Sequence, residues 1–251
     1  MISYQIFKHL IFRPLVLWGF RARIEGAENI PASGGAVLAM NHIAAMDSVV
    51  VPAMMPREMF YPAKAELFRA KGPASWIVGG FLRLIGTVPM ERGGGRASSQ
   101  ALAAISVVLA KGNLIGIYPE GTRSADGRLY KGHTGVARLA VQNSVPVIPI
   151  GLFDTRKVKG LFGIPWVRRP RIVVGKPLHF SDRQPAKQPA DFRIITDEVM
   201  AAIQELTGQE YVDVYGTRAK HGDLKGQDLS AYVRPRPGTP KSTPPAEQGA
   251  E

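Results

Sequence analysis

Apolar runs and amphipathic stretches alternate from residue 21 to about residue 206. Runs rich in Val, Ile, Leu and Ala predict strands at 21–25, Ala36–Met40, 59–63, 86–90, 113–118, 146–151 and 170–174. Apolar positions at helical spacing predict helices from Asp47 to near Pro56 and near 74–83, 96–111, 133–142 and 189–206. Strands that alternate with helices specify an α/β fold with a mixed, largely parallel central sheet covered by helices. The run Val145-Pro146-Val147-Ile148-Pro149-Ile150 carries two prolines, which suit an edge strand or a strand terminus because proline donates no ladder hydrogen bond.

The two ends depart from this alternation. Residues 2–19 read as a helix kinked near Pro14, with Leu10, Ile11, Phe12, Leu15, Val16, Leu17 and Trp18 set among Lys8, His9 and Arg13. Spanning a bilayer takes about 20 largely apolar residues, and the basic residues interrupt this run. Residues 1–20 are therefore expected to form an amphipathic membrane-surface helix, with packing against its own domain as the other possibility. No small-residue cleavage site follows the apolar run, so the segment reads as mature and cytoplasmic. Residues 21–215 form the main domain. From 216 to 251 the apolar periodicity fades, and Pro235, Pro237, Pro240, Pro244 and Pro245 predict a disordered basic tail.

Composition narrows the chemistry. With 251 residues the chain can bury one sizeable core, and with no cysteine it has no disulfide, thiolate metal site or Cys nucleophile. The formal charge of +12 implies an anionic partner. Nucleic acid is not expected, because the basic residues are not interleaved with stacking aromatics and no helical reader is recognisable. The cluster Arg156, Lys157, Lys159, Arg168, Arg169, Arg171 and Lys176 could face an anionic membrane surface or an acidic carrier, or be only a solvated face.

Four segments could carry chemistry. In Asn41-His42-Ile43-Ala44-Ala45-Met46-Asp47, a loop between strand and helix could bring Asp47 to His42. Asp47 would then fix the imidazole tautomer while His42 takes a proton from a hydroxyl; equally, Asp47 could be only a helix cap. In Tyr118-Pro119-Glu120-Gly121-Thr122-Arg123-Ser124, Gly121 allows a sharp turn, and Thr122, Arg123 and Ser124 offer donors to phosphate oxygens. Glu120 would repel a phosphate, so it is assigned to Arg123 or to the hydroxyl region of an acceptor; a plain turn with an ion pair is the alternative. Arg92, after Gly86-Thr87-Val88-Pro89-Met90-Glu91, could reach a phosphate at a strand end, as could Lys64, unless both are simply solvated. The fourth segment, 145–150, could border an acyl groove or serve only as core. His42, Asp47 and His133 are nominal metal ligands whose spacing matches no familiar zinc helix motif.

Taken in order, these segments resemble the four blocks of the glycerolipid acyltransferase family, specifically the 1-acylglycerol-3-phosphate O-acyltransferases. Asn41, His42 and Asp47 match the first block, Gly86 and Arg92 the second, residues 118–124 the third and 145–150 the fourth; Lys131-Gly132 and Leu139-Ala140 resemble the segment after the third. The likeness covers about residues 20–180. Tyr118 replaces the usual Phe, and Pro89 stands where the second block usually has an aromatic. Such membership implies His42 as base, Asp47 as its partner, and Arg92, Glu120, Gly121, Thr122 and Arg123 around the acceptor, with Lys64 a further candidate from its place after a strand. It implies acyl-CoA or acyl carrier protein as donor, no cofactor or metal, a lysophospholipid acceptor, and a peripheral place on the cytoplasmic face of the membrane. Another lysolipid or a glycolipid could serve as acceptor in the same chemistry.

Overall fold

A computed structural model of the protein describes residues 8–64, 87–90, 96–159, 165–181 and 188–239. The expected helix at 74–83, Gly86, Arg92 and the glycines at 93–95 lie outside the described residues. In chain order the strands are β1 (Arg23–Glu25), β2 (Ala36–Met40), β3 (Met59–Lys64), β4 (Thr87–Met90), β5 (Leu114–Ile117), β6 (Leu129–Lys131), β7 (Val147–Phe153), β8 (Val158–Lys159), β9 (Pro165–Trp166), β10 (Arg171–Val174), β11 (Tyr211–Tyr215) and β12 (Val233–Arg234). The helices are α1 (Asp47–Met54), α2 (Arg96–Ala110), α3 (Gly135–Asn143), α4 (Pro189–Thr207) and α5 (Gly216–His221).

Among the described residues a seven-stranded sheet runs β1-β10-β7-β2-β5-β3-β4. Only the β10–β7 pairing is antiparallel, so the sheet is mixed and largely parallel, as the alternating pattern requires. Period-two alternation explains why β2 is buried throughout. Ala36, Leu38 and Met40 share one core with Val50, Val51 and Met54 of α1. Val37 and Ala39 face the opposite core, with Ile105 and Leu109 of α2, Val136 and Leu139 of α3, and Phe192, Ile195 and Val199 of α4. Each large apolar side chain buried this way contributes about 1.5–3 kcal/mol.

Three expectations need correction. Of the two places suited to the prolines of the fourth segment, Pro146 takes the terminus, directly before β7, and the edge is overturned, since β7 lies between β10 and β2. Pro149 is tolerated because it sits where β10 ends: Ile150 pairs with Val174, Gly175 N donates to the Pro149 carbonyl, and the next contact is an isolated bridge from Val147 to Leu178. The described part of the N-terminal segment packs against its own domain. It turns through wide i→i+5 helical bonds at Lys8–Phe12 and Leu15–Gly19, burying Val16 and Phe20 in the α1 core and directing Lys8 Nζ at the Met55 carbonyl, 2.8 Å away. Its other side leaves Leu10 and Trp18 more than 70% exposed.

The third correction concerns the tail. Residues 216–239 are not a disordered extension of the domain. β11 pairs with β6 in parallel and with β12 in antiparallel, and Leu224 and Leu229 are buried beside Tyr130, Val212 and Val214. The apolar residues that hold this satellite core are widely spaced, which leaves no period to read. Residues 240–251 lie outside the described residues.

Candidate active site

β2, β5, β3 and β4 run parallel, so their carboxyl ends share one edge of the sheet, where open α/β folds bind ligands. The first segment leaves β2, the third leaves β5, and Lys64 closes β3. The β2–β5 register pairs Ala39 with Ile117; continued by three residues, it sets His42 opposite Glu120.

The turn from 43 to 46 brings Asp47, the first residue of α1, back to His42. His42 Nδ1 lies 2.8 Å from Asp47 Oδ2, and the same oxygen accepts from the amides of Ile43 (2.8 Å) and Ala44 (2.9 Å). Asp47 is therefore more than a cap: Met46 occupies the N-cap position, and the fully buried carboxylate folds the loop around the imidazole. Three donors converging on Oδ2 place the proton on Nδ1, which leaves Nε2 as the lone-pair nitrogen. Nε2 has no partner among the described residues. Asp47 Oδ1 is likewise buried without a hydrogen-bond partner there, which leaves negative charge beside any imidazolium that forms.

The third segment clamps His42 from the other side. Glu120 Oε1 accepts from the His42 amide at 2.9 Å, Glu120 Oε2 accepts from the Tyr130 amide at 3.0 Å, and the Ser124 amide donates to the His42 carbonyl at 2.7 Å. This corrects the assignment of Glu120 to Arg123 or the acceptor. The side chain is buried, and both oxygens hold backbone, joining the loop after β2 to β6. Burial pushes its carboxyl up to about 8, against the two amide hydrogen bonds, which favour the charged form.

Tyr118 supplies a contact that the residue order did not reveal. Its ring stacks on His42 with centroids 3.8 Å apart and planes 14° apart, and Tyr61 of β3 stacks on Tyr118 in turn at 5.9 Å. Where the family resemblance expects Phe, the ring is the part in use, so Tyr preserves the contact. Burial and the nearby Asp47 charge raise the Tyr118 pKa, keeping it neutral. Asn41 is structural: its amide bonds the Leu152 backbone in both directions at 2.8 and 3.1 Å and reaches Gln209 at 2.9 Å.

Of the other expected residues, Gly121 turns the chain at φ 69°, with Thr122 half-buried and Arg123 exposed beyond it. Lys64 lies at the correct sheet edge, and Arg92 lies outside the described residues. His133 does not join His42 and Asp47; it stacks on Tyr215, and no group of three or more metal-ligating side chains occurs among the described residues.

The geometry is thus a parallel sheet edge that carries a carboxylate-bonded histidine whose Nε2 has no partner among the described residues. The Acyltransferase family model matches residues 21–152, more than half of the chain, and the chain belongs to that family. It is 32% identical over 165 residues to the chloroplastic 1-acyl-sn-glycerol-3-phosphate acyltransferase LPAT1 of Arabidopsis thaliana, covering 64% of this chain and 45% of that protein. It is 28% identical over 185 residues to the 1-acyl-sn-glycerol-3-phosphate acyltransferase of Bacillus subtilis, covering 73% of this chain and 87% of that one. The crystal structure of the 1-acyl-sn-glycerophosphate acyltransferase PlsC from Thermotoga maritima has the same fold, with a TM-score of 0.56 at 21% identity, covering 82% of this chain and 83% of that one.

Proposed function

We propose that the chain transfers a fatty acyl group from a thioester, acyl-CoA or acyl carrier protein, to the free hydroxyl of 1-acylglycerol-3-phosphate, forming phosphatidic acid. The observation that carries this reading is His42, oriented by Asp47 and held at both backbone ends by the third segment, with Nε2 left open. Nε2 takes the hydroxyl proton as the oxygen attacks the thioester carbonyl. The C–O bond forms, the C–S bond breaks, and the thiolate leaves with the proton that His42 returns. Asp47 stabilises the imidazolium between the two transfers.

The same reading takes the reaction to a membrane surface, where lysolipid and product partition. Leu10, Ile11, Leu15 and Trp18 are exposed beside His9, Arg13 and Arg21, and Trp166 of β9 touches Phe20 ring edge to face at 4.9 Å, continuing the same apolar face. Exposed Lys157, Arg168 and Arg169 flank it. Aromatic and basic residues side by side suit a layer of anionic headgroups. No described helix is long and apolar enough to cross a membrane.

The test is acyl transfer from oleoyl-CoA or an acyl carrier protein thioester to 1-oleoyl lysophosphatidic acid in vesicles, run beside lysophosphatidylcholine and monoacylglycerol. Phosphatidic acid as the dominant product is expected. A faster reaction with either phosphomonoester-free acceptor would move the assignment to that lipid.

A further inference from the structure

The segment that reads as a tail returns to the third segment, residues 118–124. Gly216, the first residue of α5, lies so close to Thr122 that a Cβ there would sit 3.0 Å from Thr122 Cγ2. Tyr215 stacks on His133, whose amide donates to the Pro119 carbonyl at 2.8 Å. Lys220 Nζ then donates to the Arg123 carbonyl at 2.9 Å. Two cations thus meet at a turn whose next residue, Ser124, is bonded to His42.

Several cations nearby are paired with carboxylates, and these two are not. Lys131 pairs with Asp213, Arg128 with Asp126 and Glu210, Arg193 with Asp197, and Arg218 with Asp223. Among the described residues neither Arg123 nor Lys220 has a carboxylate at ion-pair distance, and burial together with the Arg123 charge lowers the Lys220 pKa. Like charges held together without a counter-ion are the arrangement that an incoming dianion stabilises.

We propose that Lys220 joins Arg123 in binding the phosphate monoester of the acceptor, so that the C-terminal segment, beyond the family-matched residues 21–152, reads headgroup charge. The inference rests on the acyl-transfer reading for its choice of lipid, but the anion site itself does not. One of the three ammonium donors holds the Arg123 carbonyl; two remain for phosphate oxygens.

The experiment compares wild type, Lys220→Ala, Lys220→Arg and, as a control at an exposed lysine, Lys225→Ala. Lys220→Ala is expected to raise the KM for lysophosphatidic acid about tenfold with little change in kcat, and Lys220→Arg to restore most of it. The KM for acyl-CoA should stay put, which separates the acceptor's phosphate from the phosphates of the donor. Calorimetric titration with sn-glycerol 3-phosphate, which needs no catalysis, should show the same loss in Lys220→Ala and none in Lys225→Ala. Equal sn-glycerol 3-phosphate affinity in wild type and Lys220→Ala would overturn the proposal. So would a fall in kcat and Tm with no headgroup dependence, since that is the signature of a loop support alone. Absent acyl transfer with intact, Lys220-dependent sn-glycerol 3-phosphate binding would remove the lipid assignment and leave the anion site standing.

Discussion

Glu120→Gln separates a positioning role from a substrate-binding one. The substitution keeps size and shape but turns one oxygen into NH2, while both side-chain positions face backbone donors, His42 N at 2.9 Å and Tyr130 N at 3.0 Å. Protonated or not, each carboxyl oxygen presents a lone pair to its N–H; an amide nitrogen presents none. One buried donor is therefore left unsatisfied, at a cost of about 1–3 kcal/mol. In a chain of this size that lowers Tm by roughly 2–12 °C, read by a thermal scan. Losing the His42 tether shifts the imidazole, and kcat should fall about 10- to 100-fold, while acceptor KM changes less than about twofold. The carboxyl is pushed from 4.5 up to about 8, so within that window the folded chain keeps a proton that the unfolded chain has released. The stability linked to this group is full below 4.5 and lost as pH rises through about 8, so the Tm gap between wild type and variant should narrow over that range. An unchanged Tm and kcat with a raised acceptor KM would refute this reasoning and return Glu120 to the acceptor.

Other perturbations test separate parts. Asp47→Asn keeps an oxygen that can accept from His42 Nδ1–H and the Ile43 and Ala44 amides but removes the negative charge that stabilises the imidazolium, so kcat should drop about 10²- to 10⁴-fold with the fold intact by circular dichroism; a near-normal kcat would reduce Asp47 to a loop brace. Trp18→Ser with Trp166→Ser should weaken binding to anionic vesicles about tenfold in a sedimentation assay, and unchanged binding would dismiss this face as a membrane contact. Leu229→Ala should cost about 2–5 kcal/mol in denaturant unfolding, because Leu229 is buried against Tyr130 and Val212; a neutral result would count against the satellite core.

Sequence and structure agree wherever a period or a strand boundary carried the information. β2 was legible because Ala36–Met40 is apolar at every position, and His42 and Glu120 were legible because each follows such a strand. The role of Glu120 was not, because it depends on strand order: β2 and β5 are neighbours although more than seventy residues separate them, and only that adjacency sets a carboxylate under the His42 amide. Tyr118 against His42 is hidden for the same reason. Pro149 suggests an edge because it lacks a donor, whereas here it meets the end of β10 inside the sheet. Residues 216–251 read as a disordered tail because prolines from Pro235 onward sit among polar and charged residues, and the few apolar anchors within 216–239, Leu224 and Leu229, form no period.

The most direct measurement is phosphatidic acid formation from oleoyl-CoA and 1-oleoyl lysophosphatidic acid by wild type and His42→Ala, each checked for an unchanged Tm. Removing the proposed base should lower product formation about 10³-fold or more. Equal product from His42→Ala would contradict the role given to the His42–Asp47 pair.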